Sequence, residues 1–125
     1  MAVKYLLCAH CRNMVEKVVD KGVPVMCCGE KMLELVPNTT DGAMEKHVPD
    51  VKEEGQKVSV VVGSTVHPML EEHYIQFIAL ETKNGCVYRK DLKPGDEPKA
   101  EFLLNEGDGV EAVYEFCNLH GLWKK

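Results

Sequence analysis

The sequence predicts a mainly β protein: a small four-cysteine metal-binding domain followed by an antiparallel β-sandwich. Three observations carry this. Four of the six cysteines fall within the first 36 residues. The segment between them, RNMVEKVVDKGVPVM, is valine-rich and broken by DKGVP, which favours short strands around a turn at Lys21-Gly22 over a helix. Beyond residue 42, β-branched or alternating runs recur with turn signals about every 8–12 residues.

In chain order, residues 1–36 form the first domain. So short a segment has almost no core and needs a metal to fold. Residues 37–42, within the polar VPNTTDG, form the linker. Residues 43–125 form the sandwich. Its strands are KVSVVVG (57–63), HYIQFIAL (73–80), CVYRKDL (86–92), AEFLL (100–104) and VEAVYEF (110–116). The last alternates Val110, Ala112, Tyr114 and Phe116 against Glu111 and Glu115. The turns between are EEG, KNG, KPGDEP and NEGDG.

Composition bounds the function. With 125 residues at 45% hydrophobic, a packed core is possible. No apolar run reaches the ~18–20 residues that span a bilayer. The start, MAVKYLLCAHC, is too briefly apolar for a signal peptide, so a cytoplasmic location is expected. The net charge of −5 excludes general nucleic-acid binding. It would also repel an anionic substrate unless a local positive group intervenes.

In a chain with no export signal, clustered cysteines read as metal ligands. Cys8-x2-Cys11 has the usual knuckle spacing; Cys27-Cys28 is adjacent, which distorts a tetrahedral site. A zinc staple, a four-thiolate iron that carries one electron, and a vicinal disulfide all fit that spacing. His10, inside the knuckle, is expected to face solvent. Cys86 fits neither cluster and reads as a buried free thiol.

The remaining histidines are His47 in MEKHVP, His67 and His73 in VHPMLEEHYI, and His120 in CNLHG beside Cys117. Spacing does not gather them. If all bind one metal, five ligands are too many for tetrahedral zinc and too few to saturate an octahedron. Iron suits such a mixed imidazole and thiolate set, and an open position means chemistry.

EKHVP, HPM, HYI and CNLHG, in this order, resemble the superoxide reductase centre. The four cysteines ahead of them resemble a desulforedoxin-type domain. Nearly the whole chain is similar to desulfoferrodoxins, the two-iron class of superoxide reductase. The resemblance implies two irons per chain. One is held by Cys8, Cys11, Cys27 and Cys28. The other, catalytic, has His47, His67, His73 and His120 as equatorial ligands and Cys117 as the axial one. It implies that Glu45 closes the sixth position in the oxidised state and that Lys46 stands by the open site. It further implies an immunoglobulin-like sandwich, a homodimer, superoxide as substrate, and rubredoxin or a similar small electron donor. Backbone amides of Leu119 and His120 are expected to point at the Cys117 sulfur. The alternatives are a non-catalytic iron electron-transfer or metal-binding module and a dismutase, which would evolve oxygen.

Overall fold

The first cysteines lie at the ends of short strands. The computed structural model describes residues 3–40, 42–63, 65 and 67–125. The chain divides into two units, Met1–Val36 and Pro37–Lys125.

In the first unit, β1 (Tyr5–Leu7) lies between β2 (Met14–Glu16) and β5 (Leu33–Glu34) in an antiparallel sheet. β3 (Met26–Cys27) and β4 (Glu30–Lys31) form a separate hairpin. The strands that flank Lys21-Gly22 therefore do not pair with each other. Buried apolar side chains here are Tyr5, Leu6, Leu7 and Cys8, whereas Val18, Val19 and Val23 are about two-thirds or more exposed, at 72%, 67% and 68%. The valines do not build a core. The 17–23 turn is held instead by Asp20, whose carboxylate accepts from Lys17 Nζ (2.7 Å), Lys4 Nζ (2.8 Å) and the Gly22 amide (2.8 Å).

The second unit opens with a single helical turn, α1 (Met44–His47), followed by β6 (Pro49–Glu54), β7 (Lys57–Val62), β8 (Ile75–Thr82), β9 (Val87–Asp91), β10 (Lys99–Leu103), β11 (Val110–Cys117) and β12 (Gly121–Lys124). These make an antiparallel sandwich of a three-stranded sheet, β10-β7-β6, and a four-stranded one, β12-β11-β8-β9. Seven strands in two such sheets is the immunoglobulin-like plan. Val58, Val60 and Val62 of β7 meet Ile75, Ile78, Leu80, Val113 and Cys117 in the core.

The alternation expected in β11 does not mark a buried and a wet face. Val113, Glu115 and Cys117 are fully buried, and so, to within 3%, are Ala112, Tyr114 and Phe116. Both faces of this central strand are covered, which erases the polar–apolar rhythm. A bulge sits where Phe116 pairs with Phe77 but Cys117 pairs with Ile75, leaving Gln76 unmatched. Bulges re-aim side chains; this one lies beside Cys117, at the site. Two strands escape the sequence reading. β6 is a charged edge strand, and β12 lies inside the motif read for its ligands.

Candidate metal centres

Five donors converge at one end of the sandwich: His47, His67, His73, Cys117 and His120. Each arrives by a different local device. α1 is too short to be stable alone; it holds because the Val48 amide bonds the Met44 carbonyl and the Thr65 amide bonds that of Glu45. It delivers His47. The stretch after β7 delivers His67, whose neighbour Pro68 favours extended backbone there. Leu70 and His73 exchange both backbone hydrogen bonds, a tight turn that presents His73. The β11–β12 hairpin carries Cys117 and His120. Asn118 ties that hairpin to the His73 segment: the Tyr74 amide donates to its Oδ1 (2.9 Å), and its Nδ2 donates to the Glu72 carbonyl (3.1 Å).

The four imidazoles close a ring. Centroids of successive rings, His47–His67–His73–His120–His47, lie 4.8, 4.8, 4.9 and 4.8 Å apart, each pair nearly perpendicular at 75–79°. His47 Nε2 stands 3.1 Å from both His67 Nε2 and His120 Nδ1. Two nitrogens at right angles on an ion with metal–nitrogen bonds of about 2.1 Å would be roughly 3.0 Å apart. Cys117 Sγ lies 3.8 Å from His120 Nδ1. His73 Nε2 is buried without a hydrogen-bond partner. A buried orphan nitrogen costs free energy unless something binds it, and an ion coordinated by the ring would.

The outer nitrogens set the tautomers. His47 Nδ1 donates to the Ala43 carbonyl and His67 Nδ1 to that of Pro68, both at 2.7 Å. Each Nε2 is thereby left with its lone pair facing inward. Burial, above all, lowers the pKa of His47, His67 and His73, that of His67 to about 4. Neutral imidazoles are what a metal requires. Burial pushes the Cys117 thiol up, while the backbone N–H groups of His120 and Leu119 hold it down. Those are the amides expected from sequence. Metal binding would complete the deprotonation. Glu115, two residues before the cysteine, is fully buried, and burial raises its carboxyl to about 9.

Glu45 and Lys46 lie exposed on α1. The Lys46 charge lowers the pKa of both His47 and His73, so its field reaches the ring. Trp123 stacks on His47 at 5.1 Å and donates from Nε1 to the His120 carbonyl. Thr40 Oγ1 donates to that same carbonyl. The Asn38 amide donates to the Leu122 carbonyl, and its side chain exchanges two hydrogen bonds with the Lys124 backbone. Residues 38–40, expected as linker, are thus fastened along β12.

The four cysteines of the first unit also converge. Cys11 Sγ is 3.6 Å from Cys27 Sγ; a tetrahedron with about 2.3 Å metal–sulfur bonds has edges near 3.8 Å. The amides of Cys11 and Asn13 point at the sulfurs of Cys8 and Cys11 (3.5 and 3.4 Å). The adjacent pair works because Cys28 and Gly29 both take positive φ, +53° and +75°, in a two-residue hairpin between β3 and β4. The Cys11 amide, first, brings Cys8 down to about 6, while the sulfurs of Cys11, Cys8 and Cys27 drive Cys28 up to about 12. Such crowded sulfurs cannot all be thiolates without a cation among them. His10 is paired with Glu30 at 3.1 Å on the surface. Cys86 is partly buried and free, its amide bonded to Thr82 Oγ1.

The family model described as Desulfoferrodoxin matches residues 39–125. The chain belongs to the desulfoferrodoxin family. It is 50% identical over 117 residues to the desulfoferrodoxin homolog of Archaeoglobus fulgidus, covering 94% of this chain and 91% of that one. It is 48% identical to the desulfoferrodoxin of Nitratidesulfovibrio vulgaris, over 94% and 90% of the two chains. The crystal structure of the superoxide reductase from Treponema pallidum superposes with a TM-score of 0.83 at 35% identity, covering 100% of this chain and 99% of that one. The four-cysteine and four-histidine-one-cysteine groups match the two iron sites of desulfoferrodoxins. Among the described residues, no helix is long and apolar enough to cross a membrane.

Sequence reasoning missed Trp123 as the stacking partner of His47, Thr40 and Asn38 as fasteners, and the carbonyls of Ala43 and Pro68. Backbone carbonyls leave no signature in a sequence. Trp123 had one: it is the single tryptophan, three residues past a ligand.

Proposed function

We propose that this desulfoferrodoxin reduces superoxide to hydrogen peroxide, taking one electron from an external donor and two protons from solvent. The observation that carries this is the closed ring of four imidazoles with one buried thiol. Five donors leave an octahedral ion one position, and no other His, Cys, Asp or Glu joins the group among the described residues. On this reading residues 1–36 are the four-cysteine iron domain and 43–125 the reductase domain, with 37–42 joining them and fastened along β12 through Asn38 and Thr40.

His47, His67, His73, His120 and Cys117 would hold the catalytic iron, which supplies the electron by passing from ferrous to ferric. The chain's own residues do the rest. The carbonyls of Ala43 and Pro68 keep two of the imidazoles in one tautomer, so the pocket needs no rearrangement to bind a cation. The amides of Leu119 and His120 support negative charge at Cys117 Sγ. Lys46 Nζ supplies the local positive potential that an acidic protein otherwise lacks for drawing in an anion. Its ammonium also orders water through which protons reach the product. The Glu45 carboxylate, next along the same turn, would be the group available to close the open position once the site is oxidised.

The donor is rubredoxin or a similar small reductant, and the working form is a homodimer in the cytoplasm. None of the six cysteines is in a disulfide, in keeping with a reducing compartment. Stopped-flow mixing of the iron-loaded, reduced protein with superoxide, with peroxide and oxygen measured together, tests the reaction. The expected result is one peroxide per superoxide and no oxygen. Oxygen evolution at half that stoichiometry would make it a dismutase.

A further inference from the structure

We propose that Gly63 is a positioning residue for the catalytic centre: having no side chain, it lets the segment that brings His67 lie flat on the turn that brings Glu45, Lys46 and His47. The inference rests on the function proposed above only for its relevance to turnover. Gly63 is buried just past β7, with φ +75°. A Cβ there would meet the Glu45 carbonyl oxygen at 2.6 Å, the Lys46 carbonyl carbon at 2.6 Å and its oxygen at 2.7 Å. These are backbone atoms and cannot swing aside as a side-chain end could. Hydrogen bonds bracket the contact: the Gly63 amide donates to the Val48 carbonyl (3.0 Å) and the Thr65 amide to that of Glu45 (2.9 Å). His47 lies between Glu45 and Val48; His67 lies two residues past Thr65. The close approach therefore sets the separation of two ligands, whose Nε2 atoms stand 3.1 Å apart.

A built-in control separates this from the general cost of positive φ. Gly55, in the β6–β7 turn, has φ +61°, yet a Cβ there meets nothing within 4 Å. Gly55→Ala and Gly63→Ala pay a similar backbone strain; only the second must push the turn away. With both metals loaded, Gly63→Ala is expected to release iron from the histidine site to a chelator about tenfold faster than wild type, the range for lost support around a ligand. Its thiolate-to-iron absorption band should shift, and Gly55→Ala should behave as wild type in both. Equal release rates and an unshifted band in Gly63→Ala would overturn the proposal. Should Gly63→Ala not fold, hydrogen exchange on the wild-type holoprotein decides. The amides of Gly63 and Thr65 are expected to be as protected as those of β7, and exchange at loop rates would refute the lock. None of these readouts uses superoxide, so the positioning role stands or falls apart from the reaction.

Discussion

Lys46 is one cation on an acidic protein, and its influence extends to His47 and His73. Lys46→Ala is expected to lower the second-order rate with superoxide about tenfold and to flatten its dependence on ionic strength, since local steering is what salt screens. Stopped-flow rates across a salt series check this, and an unchanged slope would remove the lysine from the mechanism. Glu45→Ala should behave differently. Reduction stays close to wild type, while the oxidised site remains open, so added azide gives an immediate spectral change. At this scale the ligand histidines were readable only through the order of their motifs. Their spacing, from 6 residues between His67 and His73 to 73 between His47 and His120, says nothing of the square they form. The carbonyls and the Trp123 stack that hold them were invisible because they depend on the folded backbone.

Elements were legible in proportion to their burial on one face or two. β7 and β8 stood out as β-branched runs. β6 did not, because PDVKEE is an edge strand whose charges discourage a further partner. β11 was found, but its faces were misjudged, since Glu115 is buried among apolar neighbours. Two predictions belong to elements of the first unit. Gly29→Val puts a β-branched residue at φ +75° in the two-residue hairpin. It should loosen metal at the four-cysteine site and leave the histidine site loaded, as a metal count by site-specific absorption would show. Asp20 is held well below the ordinary carboxylate range, first by Lys17 and then by Lys4. A lowered folded value means its contribution is full above the unfolded value of about 4 and is lost as pH falls from there toward the lower folded value. Asp20→Asn should therefore speed amide exchange across 17–23 near neutral pH. The gap from wild type should shrink below about pH 4, and a gap that widened there would contradict the sign.

For the molecule as a whole, the two units hold themselves together by different means. The sandwich has a continuous core of β-branched and aliphatic side chains. The first unit buries few apolar residues and leaves Val18, Val19 and Val23 in water, so its cohesion resides in four sulfurs and an ion. Cys11→Ser is expected to abolish the first metal's absorption and to unprotect the amides of β1, β2 and β5, while β8 and β11 keep theirs. Hydrogen exchange on the full chain measures both. Loss of protection in β8 would show that the sandwich leans on that metal. The fastening of residues 38–40 along the last strand bears on where the polypeptide can be cut. Trimmed to begin at Ala43, where composition alone would put the domain edge, it would forfeit the Asn38 staple and the Thr40 hydroxyl on His120. A reductase half prepared for isolated work has to start upstream of Asn38, because what looks like spare tether is the clasp on an iron ligand.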